Sequence, residues 1–201
     1  MIEAAAVERR FSASQIIVIC KERANRLFVV SEGCLNYSSV TDDGREILLG
    51  RLVPGDAFGI ATFLSEPGCY LGTAKAVCDT TVFFWDYRLI RQLATAYPRL
   101  AENGMRIALR SVALHVERHV ALVSKSARER VACALARLGT RGGRVLPTGI
   151  EVDIKNEDLA SLADVSLFTA SRLVTLWERK GILEKSRGRV LIRSPERLLA
   201  A

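Results

Sequence analysis

The sequence predicts an α+β protein: a β-rich N-terminal part, a long amphipathic helix, and a C-terminal helix-turn-helix followed by a basic hairpin. Three observations carry that expectation. Residues 15–86 hold many short β-branched and aromatic runs broken by turn residues, which argues a sandwich or a closed barrel. From about residue 88 to residue 124 the apolar spacing becomes helical. Residues 156–178 read as two short amphipathic helices joined by a tight turn.

The strand-like text begins at residues 16–19 and returns at 27–30, with a turn at Ser31-Glu32-Gly33. Residues 35–40 alternate loosely. Asp42-Asp43-Gly44 is a hairpin signal, because Asp-Gly accepts the positive φ of a tight reverse turn. Residues 47–49 form the return strand, Pro54-Gly55-Asp56 a further turn, and residues 74–85 further strand. Pro98 divides a short helix from a long one. On the long helix Met105, Leu109, Val112, Val116, His119 and Val123 alternate at spacings of four and three, the narrow seam through which a helix pairs with a copy of itself. His115 and His119 lie four apart, a spacing open to a metal, and are read as seam or solvent positions. A helix over residues 127–138 turns Val131, Leu135 and Leu138 inward, and a Gly- and Arg-rich loop is expected over 139–149.

In the helix-turn-helix text, Leu159, Leu162 and Ala163 form the inner face of the first helix; Ala170, Leu173, Val174 and Trp177 form that of the second. Ala160 is small where the two must approach. Asp164 occupies the turn, where a left-handed residue is wanted and Asp is tolerated, and Ser166 can cap the second helix. The outer face carries Leu167, Phe168, Ser171, Arg172 and Thr175. Arg172 can fork onto the O6 and N7 of a guanine. Ser166, Thr169 and Thr175 suit phosphate contacts, which fix register without reading sequence, while Leu167 and Phe168 suit thymine methyls. Residues 185–193, with Arg187 and Arg189, read as a basic two-stranded wing.

Charge and composition agree with a double-stranded DNA partner. The chain has 201 residues, 25% charged and 49% apolar, as folded proteins do, and a formal charge of +7. Residues 1–123 hold 14 Lys and Arg against 13 Asp and Glu; residues 124–201 hold 15 against 9. A basic segment beside a neutral one is the footprint of a nucleic-acid-binding domain on a partner domain. No uncharged apolar run approaches the roughly 18 residues of a membrane span, so no membrane partner is expected. Residues 1–10 place two acids before two arginines, unlike a secretory signal, so the expected location is the cytoplasm. Cys20, Cys34, Cys69, Cys78 and Cys133 are scattered without a CxxC or zinc spacing; they are read as inert, small buried hydrophobes. No metal and no cofactor is expected.

Several motifs, in order, resemble the Crp/Fnr superfamily of bacterial transcription regulators: Leu27-Phe28-Val29-Val30 with Gly33, Asp43-Gly44-Arg45-Glu46, Leu52-Val53-Pro54-Gly55-Asp56-Ala57-Phe58-Gly59, Thr73-Ala74-Lys75-Ala76, then Ser171-Arg172-Leu173 and the run from Trp177 to Leu183. The resemblance implies a β-roll like a cyclic-nucleotide-binding domain over 1–97, a dimerisation helix over 98–123 and a winged-helix DNA-binding domain over 124–201. It also implies a homodimer on a palindromic promoter site; RNA polymerase is the expected further partner, and activation is favoured over repression as the role.

The family pattern is broken at three places. Ile60 stands where cyclic-nucleotide binders carry the ribose-binding Glu, and Gly72 where they carry the phosphate-binding Arg. A buried phosphate without its cation is costly, so dependence on cyclic AMP is not expected. The clustered cysteines of iron–sulfur members and the β-domain histidine of haem-binding members are also missing from the text. Phe168 replaces a recognition-helix Glu, so the operator should differ from the usual family consensus. The chain is read as a DNA-binding regulator, either competent without an effector, the preferred reading, or answering to a different or redox signal. It is not read as an enzyme: a cupin-type oxygenase needs histidines within residues 15–86, which contain none. The alternative is a ligand-binding dimer that acts through protein contacts without reading DNA.

Overall fold

Short β-branched runs separated by turns give eight strands within residues 7–86 of the computed structural model, which describes residues 5–200. They are β1 (Val7–Phe11), β2 (Ile16–Val18), β3 (Arg26–Glu32), β4 (Leu35–Val40), β5 (Glu46–Leu52), β6 (Ala57–Phe58), β7 (Thr73–Ala76) and β8 (Thr80–Asp86). Two antiparallel four-stranded sheets result, in the orders β1-β8-β3-β6 and β2-β7-β4-β5. Both sheets contribute to one core, with Phe28, Val30, Val82 and Phe84 from the first and Val18, Leu35 and Ala74 from the second. The rings of Phe28 and Phe58 stack at 4.7 Å. Asp42-Asp43-Gly44 joins β4 to β5, with Gly44 at φ 81° as the hairpin signal requires. The run expected over 74–85 is two strands, parted at residues 77–79. β1 lies ahead of the expected strand region: its Val-Glu-Arg-Arg-Phe text faces solvent and pairs along β8. Of the ten residues weighed as a signal segment, the first four lie outside the described residues.

Helix α1 (Tyr87–Ala96) ends before Pro98, and Pro98 opens α2 (Pro98–Ser124), where its missing N–H has no intrahelical partner to lose. Leu27, Trp85 and Ile90 are buried as a second cluster, with Ile60 and Phe63 of a 3-10 turn (Ile60–Phe63) and Leu100 against it. Gly104 lets α2 approach that turn, since a Cβ there would lie 2.7 Å from the Phe63 ring.

The chain divides into two compact units, Met1–His115 and Val116–Ala201, with the boundary inside α2. The second unit adds α3 (Ala127–Gly142), β9 (Arg144–Leu146), β10 (Gly149–Asp153), α4 (Asn156–Ala163), α5 (Leu167–Arg179), β11 (Leu183–Ser186), β12 (Arg189–Ile192) and α6 (Pro195–Ala200). Ser126 starts α3 with a capping box: its hydroxyl accepts the Glu129 N–H, and Glu129 accepts the Ser126 N–H. The loop expected over 139–149 is instead the end of α3 followed by the β9–β10 hairpin. Gly139 does not end the helix; it is the small residue under Ile150, whose side chain would lie 3.4 Å from a Cβ there. Four strands in the order β11-β12-β10-β9 form the sheet of this unit. Its core gathers Val131 and Leu135 of α3, Leu159 of α4, Trp177 of α5 and Ile192 of β12, all at most 1% exposed.

Tyr37 on β4 gives the β-roll a pH limit. Burial pushes its phenol from an ordinary 10.0 up to about 12, because the folded protein disfavours the phenolate. A raised pKa contributes stability that is complete below pH 10 and is lost as the pH climbs through about 12. The β-roll should therefore lose stability between those values, and Tyr37→Phe should make that slope shallower, with Tyr70, whose phenol burial also raises, supplying part of the remainder. Denaturant melts of both proteins across this range check it; equal slopes would refute the assignment.

Candidate nucleic-acid interface

The reading head is built from the turn outward. Asp164 closes α4 in the left-handed conformation, at φ 53° and ψ 50°, as the turn position demands. Val165 then donates its N–H to the Ala160 carbonyl, the backbone bond that ends a helix at a left-handed residue. Ser166 caps α5, accepting the Thr169 N–H at 3.1 Å. Ala170, Leu173, Val174 and Trp177 are buried, which fixes the rotation of α5 about its axis. The opposite face is left open: Phe168 is 74% exposed and Leu167 48%, Arg172 is exposed, and Ser171 and Thr175 are half-buried. Phe168, Arg172 and Thr175 follow at spacings of four and three, so one helical face presents them together. Leu176, absent from the expected set, is also exposed.

The hydroxyls of Ser166 and Thr169 lie 2.9 Å apart, so both are already engaged at the helix start. Arg187 sits exposed in the turn of the β11–β12 wing. Arg189 differs from the expectation of a free wing cation: its guanidinium pairs with Asp153 at 2.9 Å and approaches Glu151 at 3.9 Å, both on β10. These pairs are more than half exposed on the arginine side, and such pairs exchange partners at little cost. Between the start of α4, the start of α5 and the wing runs a groove of about 830 Å³. Phe168, Ser171 and Arg189 line it together with Lys155, Asn156 and Lys185. Lys155 and Asn156 are missing from the expected set; their place at the start of α4 was the available signal.

Along α2 the seam residues stand in solvent. Met105, Leu109, Val112 and Val116 are each 56–62% exposed, Val123 is 84%, and His119 is exposed. Val120, also exposed, widens the stripe. No disulfide joins any of the five cysteines; Cys69 and Cys78 are exposed and Cys20, Cys34 and Cys133 half-buried, so none is the buried hydrophobe expected. Among the described residues no group of three or more His, Cys, Asp or Glu is placed to hold a metal ion. No single helix among them is long and apolar enough to cross a membrane.

Comparison with known proteins supplies the family. The cyclic nucleotide-binding domain matches residues 8–97, and the Crp-like helix-turn-helix domain matches residues 129–201. The cyclic AMP receptor protein of Thermus thermophilus is 33% identical over 171 residues, which is 83% of this chain and 74% of that protein. The chain belongs to the Crp/Fnr family of transcription regulators. The transcriptional activator protein FnrA of Stutzerimonas stutzeri is 28% identical over 162 residues, 79% of this chain; the match spans 65% of FnrA. In fold, this Crp/Fnr regulator resembles FixK2 from Bradyrhizobium japonicum, with a TM-score of 0.83 at 22% identity over 96% of this chain and 95% of that one. A CRP-family transcriptional regulator from Thermus thermophilus gives a TM-score of 0.78 at 25% identity, over 96% and 97% of the two chains. The β-roll of this regulator is thus a cyclic-nucleotide-binding-type domain, and residues 129–201 are a helix-turn-helix DNA-binding domain. The family consists of regulators rather than enzymes.

Proposed function

We propose that this Crp/Fnr regulator acts as a homodimer that reads a palindromic promoter site without cyclic AMP and engages RNA polymerase as an activator. The observation that carries this reading is the open face of α5, where Phe168, Arg172 and Thr175 project beside a basic wing. Arg172 forks onto a guanine, and Phe168 with Leu167 packs on thymine methyls. Ser166, Thr169, Ser171 and Thr175, with Arg187 and Arg189, contact phosphates and sugars, which set register. The pairing seam is the exposed stripe Met105, Leu109, Val112, Val116, His119 and Val123 on α2. A solvated apolar stripe of this period is stable chiefly when a second copy covers it.

Independence of cyclic AMP is supported by what fills the two family ligand positions. A Cβ at Gly72 would lie 2.8 Å from the Tyr37 ring, so no longer side chain fits there without displacing that ring. Ile60 packs against the Leu27, Trp85 and Ile90 cluster. Neither position offers the cation or the ribose acceptor a cyclic nucleotide requires. Cyclic AMP should accordingly leave operator affinity unchanged; competence without an effector is the preferred form of this reading, and response to a different or redox signal is its alternative.

The test is Arg172→Ala on the duplex that the unaltered protein selects from a random pool. The substitution should cost about 1–3 kcal/mol and relax preference at one base position in each half-site. Anisotropy titrations against single-base variants measure this. An equal loss on every duplex, or none, would contradict base reading by Arg172.

A further inference from the structure

The turn between α4 and α5 is held by two arginines from outside the helix-turn-helix. Arg118, on the last part of α2 within the second unit, grips Asp164 with both prongs. Its Nε donates to Oδ2 and its Nη2 to Oδ1, each at 2.6 Å. The same Nη2 donates to the Ser161 carbonyl at 2.5 Å. Arg130 of α3 donates Nε to the Ala163 carbonyl at 3.0 Å and Nη2 to the Asp164 carbonyl at 3.1 Å, while its Nη1 holds the Lys125 carbonyl between α2 and α3. The Arg118–Asp164 pair is only 16% and 27% exposed, so water screens it little.

Chemistry makes this a rigid joint. The end of α4 leaves carbonyls without intrahelical donors and carries the negative pole of the helix, so guanidinium groups are favoured there. A two-pronged arginine–carboxylate pair fixes direction as well as distance, which a lysine cannot do. Asp164 is also the residue whose left-handed backbone sets the angle between α4 and α5. The side chain that Arg118 grips therefore belongs to the hinge of the reading head.

We propose that Arg118 is a positioning residue for DNA recognition: through Asp164 it locks the end of α2 to the corner of the helix-turn-helix, so that α2 dictates the aim of α5. This rests on the reading of the protein as a dimer paired through α2. Two copies joined along α2 then hold their recognition helices at a fixed separation, and Arg130 completes the joint from α3. Arg118 touches no base; its effect is confined to binding that needs both heads in register.

The experiment compares Arg118→Met, Arg118→Lys, Asp164→Asn and the Arg118→Met/Asp164→Asn double variant in the full chain. The probe is the duplex that the unaltered protein selects from a random pool, with a scrambled duplex as control. Asparagine tolerates the left-handed backbone, so Asp164→Asn removes charge without straining the turn. Each single variant should lose affinity for the selected duplex by about 5–150-fold, the range of typical couplings between sites. Arg118→Lys should recover only part of it, and the double variant should be no weaker than either single. Affinity for the scrambled duplex should not move. Amide exchange at residues 161–166 should quicken in Arg118→Met while the rest of α5 stays protected. Unchanged selected-duplex affinity in variants that melt normally, or losses that multiply in the double variant, would overturn the joint. If the unaltered protein selects no duplex, the DNA-reading account itself fails and the joint's role goes with it.

Discussion

Replacing Leu109 and Val116 together with glutamate should leave the chain monomeric and weaken its operator binding. Both side chains stand in solvent in the single chain, at 62% and 56% exposure, so neither contributes to the core of its own unit. Exposed substitutions of this kind usually change stability within about 0.5 kcal/mol, and the melting temperature should hold. In the proposed dimer the same positions would face their twins. Covering such a side chain is worth about 1.5–3 kcal/mol, and the two copies together bury four. Glutamate forfeits that burial and sets like charges against each other at the seam. A single reading head then keeps only its own half-site contacts. Losing the second, tethered head should weaken binding by roughly 10²–10⁴-fold. Sedimentation equilibrium at micromolar protein and titration with the selected duplex measure both effects. A variant that stays dimeric would move the seam off this stripe.

Trp177→Ala should melt the DNA-binding unit while sparing the β-roll. The indole is fully buried at the centre of the cluster that joins α3, α4, α5 and the sheet. Truncating a buried tryptophan typically costs about 3–5 kcal/mol, a large share of the roughly 5–15 kcal/mol that an entire domain commonly has. The two units carry separate cores, so a urea melt should split into two transitions, with only the later residues shifted. Trp177→Phe should be milder than the alanine change. The indole Nε1 is buried with no hydrogen-bond partner among the described residues, so phenylalanine forfeits volume but no hydrogen bond. In the alanine variant the remaining Trp85 reports the β-roll by fluorescence, while far-ultraviolet dichroism follows both units, so a dichroism transition without a fluorescence change marks the DNA-binding unit. A single transition displaced as a whole would mean that the units fold together.

The sequence was most informative where chemistry is local. Asp164 in its left-handed turn, Ser166 capping α5, the Asp43-Gly44 hairpin and Pro98 at the head of α2 each act within a few residues of themselves. The inner face of α5 was equally legible, because a helical period is written directly into Ala170, Leu173, Val174 and Trp177. Text failed where tertiary context decides. β1 is an exposed edge strand, so Glu8, Arg9 and Arg10 show no alternation to read. Gly139 looks like a helix stop and is a packing residue under Ile150. Arg189 looks like a free phosphate ligand until β10 brings Asp153 beside it. Arg118 and Asp164 are 46 positions apart, and nothing in the intervening residues announces their pairing.

The most direct measurement is the pattern of sites recovered when the purified protein selects from random duplex DNA at moderate salt, without added nucleotide. Paired recognition helices predict two inverted half-sites with centres one helical turn apart, about 10–10.5 base pairs, and a guanine fixed in each. A pool that shows no enrichment, or that enriches a single unpaired half-site, would contradict the account.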